Sequence, residues 1–117
     1  MRKHNFRNLK IYQRSIDFAV EIYKISKLFP KDELYGLTSQ IRRAVTSISL
    51  NITEGSGNSS EKEFKRFPEF SLRSDYEVMT CLEISLRLNY CCKEDQIALV
   101  HEAEEIAAMI SGFSKNL

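Results

Sequence analysis

Phe29–Gly57, "FPKDELYGLTSQIRRAVTSISLNITEGSG", is the stretch whose reading decides the fold. Leu34, Leu37, Ile41, Ala44, Ile48 and Ile52 recur at steps of three and four, the spacing of one face of an α-helix. The period-two alternation of a half-buried strand is missing here and elsewhere in the chain. The pattern predicts about five turns of helix at 3.6 residues per turn, halted by Gly55 and Gly57. Upstream, Pro30 ends whatever precedes it, because the residue before a proline is pushed out of the α region.

Working outward, Ile11, Ser15, Phe18, Ile22, Ile25 and Phe29 form a heptad-like seam with one polar gap. A second stripe, Tyr12, Ile16, Ala19 and Tyr23, makes this first helix apolar over a wider face than one core needs, so it is a candidate subunit interface. Beyond the glycines, Ser60 and Glu63 have the spacing of a capping box. Phe64, Phe67, Ser71, Ser74, Val78, Cys81, Ser85 and Leu88 then make a third seam, whose small residues let a facing helix come close. Pro68 falls inside it and predicts a kink unless the helix starts later than Ser60. "NYCCKED" is the next break, with Asn89 ending one helix and Lys93–Asp95 opening the last. Ile97, Val100, Ala103, Ala107 and Ile110 give the fourth seam. Four helices joined by short loops predict an all-α, antiparallel up-and-down four-helix bundle, with residues 1–117 as one domain.

Several function classes are disfavoured by composition. With 43% hydrophobic and 28% charged residues, and no stretch near the roughly 18 apolar residues of a membrane span, no membrane role is expected. "MRKHNFRNLKIYQRS" lacks a secretory apolar run and cleavage site, so a cytoplasmic location is expected. Cys81, Cys91 and Cys92 read as reduced structural thiols, and His4 and His101 have no patterned partners. No catalytic, cofactor-binding or metal-binding residues are therefore assigned, and an enzyme is not expected.

The net charge of +1 conceals an asymmetry: residues 1–73 carry net +6 and residues 74–117 net −5. Two readings fit, a basic surface for nucleic acid or helices of opposite sign attracting one another within the bundle. "EGSGNSSEKEF" fails as a phosphate loop, since no Lys-Ser/Thr follows and a helix precedes it. What remains there is a helix N-terminus beside Lys62, Lys65 and Arg66, able to meet an anion. Arg42 and Arg43 on the second helix, and Arg14 among the N-terminal basic residues Arg2, Lys3, Arg7 and Lys10, extend the candidate phosphate-tracking set. Ser39, Gln40, Ser47, Asn51 and Glu54 recur at near-helical spacing and read as a hydrogen-bonded strip along the bundle or a subunit contact, the former preferred.

Phe29-Pro30, Glu33, Tyr35-Gly36-Leu37, Thr38 to Arg43, Ser47-Ile48, Asn51-Ile52 and Glu54-Gly55 form a specific block. With "FRNLKIYQRSIDFAVEIYKISKL" before it and "SLRSDYEVMTCLEISLRLNY" after it, this block resembles the bacterial four-helix-bundle family encoded within intervening sequences of 23S ribosomal RNA genes. The resemblance implies a homopentameric ring or barrel. It is also similar to the accessory proteins of diversity-generating retroelements, whose basic outer surfaces engage nucleic acid and a reverse transcriptase. The partners so implied are further copies of the chain, RNA or DNA, and a reverse transcriptase or other protein. Binding carries over to Arg42, Arg43, Lys65 and Arg66. The chain departs from the family pattern at Thr53, commonly alanine, and at Pro68, where an apolar helix former is expected. The resulting expectation is a non-enzymatic oligomer that binds nucleic acid; the alternative is a protein-interaction scaffold.

Overall fold

The structure, a computed structural model, describes residues 6–57 and 60–115, apart from the side chains of residues 56, 61 and 63. A 3-10 turn at Phe6–Asn8 leads into α1 (Lys10–Ser26); a second, Lys31–Glu33, precedes α2 (Leu37–Gly57), and α3 (Glu61–Arg87) and α4 (Lys93–Lys115) follow. Among the described residues there is no strand. The helices pack antiparallel in chain order into the expected four-helix bundle, 47 Å long and 24 by 19 Å across.

The core is built from the expected stripes. Ile11, Ser15, Phe18, Ile22 and Ile25 of α1 are buried, as are Ile41, Ala44, Ile48 and Ile52 of α2. On α3 the seam from Phe64 to Ser85 is buried, and only its last member, Leu88, is exposed. Two stripes differ from expectation. Leu34 is exposed, because α2 begins only at Leu37 and the residues before it form the 3-10 turn. On α4 the buried residues are Gln96, Ala103, Ile106 and Ile110, while Ile97 is exposed. Ala103 and Ile110 are buried as expected, while Gln96 and Ile106 take the places expected for Ile97 and Ala107, a choice that the many apolar residues of α4 leave undetermined in sequence.

Both ends of the glycine-rich loop are informative. Gly55 does not halt α2, which runs on past it and ends at Gly57. Gly55 is buried, and a Cβ there would stand 2.2 Å from Phe67 Cβ. Its role is a close approach of α2 to α3, the second use of glycine within a helix. Ser60 does stand at the N-cap position, its carbonyl accepting the N–H of Phe64 at 2.9 Å; the Glu63 half of the capping box lies outside the described side chains. α3 starts at Glu61 and continues through Pro68, which is buried in its interior and has no backbone N–H to donate.

At the far end of the bundle one side chain ties two connections together. Glu33 Oε1 accepts the N–H of Leu37 at 3.1 Å, satisfying a donor that the start of α2 leaves open. Its other oxygen accepts the Tyr90 hydroxyl at 2.8 Å, and the Tyr90 ring lies 5.6 Å from that of Phe29. A Cβ at position 36 would come within 2.7 Å of Glu33 Oε1, which accounts for Gly36. The Leu37 N–H, then the Tyr90 hydroxyl, hold the Glu33 carboxyl below the usual carboxylate range. α3 ends where expected: Asn89 adopts the left-handed conformation at φ 61°. Its N–H reaches the Leu86 carbonyl at 2.9 Å and that of Tyr90 reaches Ser85 at 2.8 Å, the paired bonds of a Schellman ending.

The two described interior glycines make opposite predictions. Gly55→Ala forces a methyl into Phe67 at its own Cβ, which rotamer change cannot move, so urea unfolding should show a loss of about 1–3 kcal/mol or more. At Gly112 of α4 an added Cβ meets nothing within 4 Å, so Gly112→Ala should be neutral or stabilising by up to about 1 kcal/mol. Equal effects of the two substitutions would contradict the close-approach role.

Candidate nucleic-acid interface

The six cationic residues singled out from sequence do not form one patch. Arg14 projects from α1 onto α4, where Nε and Nη2 donate to the two carboxylate oxygens of Glu102 at 2.9 and 2.8 Å and Nη2 also donates to Glu105. Its Nη1 lies 3.7 Å from the sulfur of Met109. This ion triad draws on both halves of the charge asymmetry: at Arg14, basic α1 and acidic α4 attract one another. The bonds raise the Arg14 pKa and lower that of Glu105.

Arg42 is half-buried and turned toward the last turn of α1. Its Nε donates to Ser26 Oγ at 2.8 Å, Nη2 approaches the Tyr23 carbonyl at 3.4 Å, and the guanidinium lies 4.8 Å from the centre of the Tyr23 ring. A cation at a helix C-terminus complements the dipole there, a structural use for Arg42. Arg43, by contrast, is exposed.

Lys62, Lys65 and Arg66 are all exposed on the first turns of α3, with the Arg66 guanidinium 5.3 Å from the centre of the Phe70 ring. The level of Arg43 is twelve residues from Gly55, which faces Phe67, so these two groups are separated by about 18 Å along the bundle at 1.5 Å per residue. What the fold adds to the α3 group comes from other helices. In an up-and-down bundle the N-termini of α1 and α3 share an end with the C-termini of α2 and α4. Phe113 of α4 packs on Phe64 and Phe67 of α3 at 5.8 and 5.4 Å, which fixes that register. Exposed Arg7, Lys10 and Lys115 therefore join Lys62, Lys65 and Arg66 at one end. Lys115 was not singled out from sequence, although the predicted topology placed the end of the last helix beside the start of the third. Arg2 and Lys3 lie outside the described residues.

Of the polar residues of α2, Ser47 and Gln40 reach α3, and Asn51 bonds Ser47 within α2. Ser74 Oγ bonds Ser47 Oγ at 3.0 Å, Asn51 Nδ2 donates to Ser47 Oγ at 3.2 Å, and Gln40 Nε2 approaches Glu77 at 3.4 Å. These are the contacts of a structural strip. Among the described residues no group of three or more His, Cys, Asp or Glu is placed to hold a metal ion, and no helix is long and apolar enough to cross a membrane.

Residues 7–112 match the family model described as 23S rRNA-intervening sequence protein. The chain belongs to that family. Among solved structures, this intervening-sequence protein is similar to a crystal structure from Bacteroides thetaiotaomicron described as a protein with unknown function from the S23 ribosomal protein family. The two share 25% identity with a TM-score of 0.82, over 90% of this chain and 98% of the other. Among curated proteins none matches. The sequence block that carries the resemblance contains Glu33 and Gly36 at the start of α2, Ser47 on the α2–α3 seam with Asn51 bonded to it, and Gly55 at the close approach.

The ion triad predicts a pH and salt dependence. A carboxyl held below its usual range contributes stability above its unfolded pKa and loses that contribution as pH falls through the folded value. The stability gap between wild type and Arg14→Gln should therefore be full above the ordinary carboxylate range, narrow as pH falls below it, and shrink in 1 M salt because the triad is half-exposed. Unfolding curves measured over this grid check it.

Proposed function

We propose that this intervening-sequence protein is a non-enzymatic, oligomeric, cytoplasmic module that binds the phosphate backbone of RNA or DNA through the basic end of its bundle. The observation that carries the reading is the gathering of Arg7, Lys10, Lys62, Lys65, Arg66 and Lys115 from three helices and the N-terminal turn at one end. Exposed cations on a rigid frame attract phosphates without reading sequence, and each neutralised phosphate releases counterions. Family resemblance supplies the oligomer, a homopentamer, and a reverse transcriptase or other protein as a further partner.

Two outer faces support assembly. On α1, exposed Ile16, Val20 and Tyr23 border a hollow of about 440 Å³ that Thr46 and Ser49 of α2 close from the side. On the α2–α3 side, Leu37, Tyr76 and Ile84 line a groove of about 510 Å³. Two different apolar faces on one protomer suit the head-to-tail contacts of a closed ring. A protein-scaffold reading draws on another feature: Leu28, Leu34 and Tyr35, the last 93% exposed, crowd the opposite end from the cations.

Binding to single-stranded and duplex oligonucleotides across a salt series tests the proposal. Affinity should fall as salt rises, and the combined Lys62→Glu, Lys65→Glu, Arg66→Glu variant should bind at least about tenfold more weakly and have a shallower salt slope, by roughly 0.7–0.9 for each phosphate no longer neutralised. Arg14→Gln, whose parent side chain is engaged within the bundle, should bind as wild type. Absence of binding at low salt, together with a protein partner captured in nuclease-treated pull-downs, would favour the scaffold. Light scattering on wild type and Val20→Glu checks assembly: an oligomer is expected for the first and smaller species for the second.

A further inference from the structure

Asp75 stands in the middle of α3, fully buried, with neither carboxylate oxygen hydrogen-bonded among the described residues. A charged carboxylate in that position is strongly disfavoured, so burial acts to keep it protonated. We infer that Asp75 is a protonation latch on the α3–α4 seam: neutral it belongs to the core, and ionised it loosens the packing of α4 against α3.

Among the described residues, the charged groups that bear on it supply no cation to neutralise it. From α4, Glu102 faces Asp75 and opposes its ionisation, adding to the effect of burial; together they push the Asp75 carboxyl up to about 7. Arg14 of α1 meets Glu102 on its other side, but its donors are taken by Glu102 and Glu105. His101 of α4 is exposed and leans toward Glu105 at 3.9 Å. At this level α2 offers Ser47 and the Ile48 carbonyl, bonded by Ser74 and Ser71, and its two arginines point elsewhere, Arg42 to the end of α1 and Arg43 to solvent. On ionisation the outlet for Asp75 is water entering between α3 and α4, which opens that seam.

The sign follows from linkage. An unfolded Asp ionises near 3.8 and the folded one near 7, so within that window the unfolded chain holds fewer protons. Stability from this group is complete at low pH, falls as pH rises through the window, and is level above it. This is opposite to the sign for Glu33 and Glu105.

Chemical unfolding of the full chain at pH 5 and pH 7.5 tests the latch. The wild-type unfolding constant should rise about tenfold per pH unit up to neutrality, relative to Asp75→Asn; parallel profiles for the two would overturn the inference. Because Asp75→Asn replaces a core side chain and can fail to fold, a carboxyl 13C NMR titration of the wild type gives a second measurement. An inflection for Asp75 within a unit of neutrality is expected, and one below pH 5 overturns the proposal. Glu102→Gln should move that inflection down; an unmoved inflection overturns the coupling to α4. Hydrogen exchange corrected for intrinsic base catalysis should quicken across the α3–α4 seam between the two pH values, and uniform quickening in all four helices would overturn the assignment to that seam.

Discussion

The crossing of α2 and α3 sets the dimensions of the bundle. Gly55 admits Phe67 to backbone distance, the Ser71 hydroxyl reaches the Ile48 carbonyl of the facing helix at 3.0 Å, and Ser74 meets Ser47. Small side chains at these points allow an interhelical approach that leucine or isoleucine would hold apart. The hydroxyls satisfy one another and the facing backbone, so the narrow seam carries little unpaired polarity. Pro68 sits one residue past Phe67, where this contact is tightest. With α2 and α3 fixed, α1 and α4 close the remaining sides, and Phe113 seals the end against Phe64 and Phe67.

Topology also sorts the charge. The sequence is basic early and acidic late, and antiparallel folding does two different things with that asymmetry. Along the side of the bundle it pairs α1 with α4, engaging Arg14 with Glu102 and Glu105. At the end it collects cations from the starts of α1 and α3 and the finish of α4. Among the described residues, Asp75 is a buried acid with no hydrogen-bond partner. Surface pairing of half-exposed charges contributes modestly, whereas a buried unpaired carboxyl couples the fold to proton activity.

Much of the fold is legible in the chain because helix periodicity is local. The stripes of α1, α2 and α3 and the Asn89 ending were readable from spacing and residue type. Gly55 was not: a glycine between helical segments looks like a stop, and only the neighbouring Phe67 shows that it makes room. On α4 the spacing placed Ala103 and Ile110 in the core but not Gln96 and Ile106, because apolar residues lie on more than one side of that helix. Of the candidate site, Lys62, Lys65 and Arg66 were visible as a run, but the engagement of Arg14 and Arg42 by internal partners depends on residues 88 and 16 positions away.

By itself the sequence determined four amphipathic helices, their order, and an up-and-down arrangement, since apolar spacing, breakers and loop length are properties of neighbouring residues. Only the tertiary structure decided which cations remain on the surface, which glycine is a contact rather than a break, and that Asp75 lies in the core without a partner. Those outcomes depend on what faces each side chain across the bundle, and burial and pairing are set by atoms that the chain brings together only when it folds.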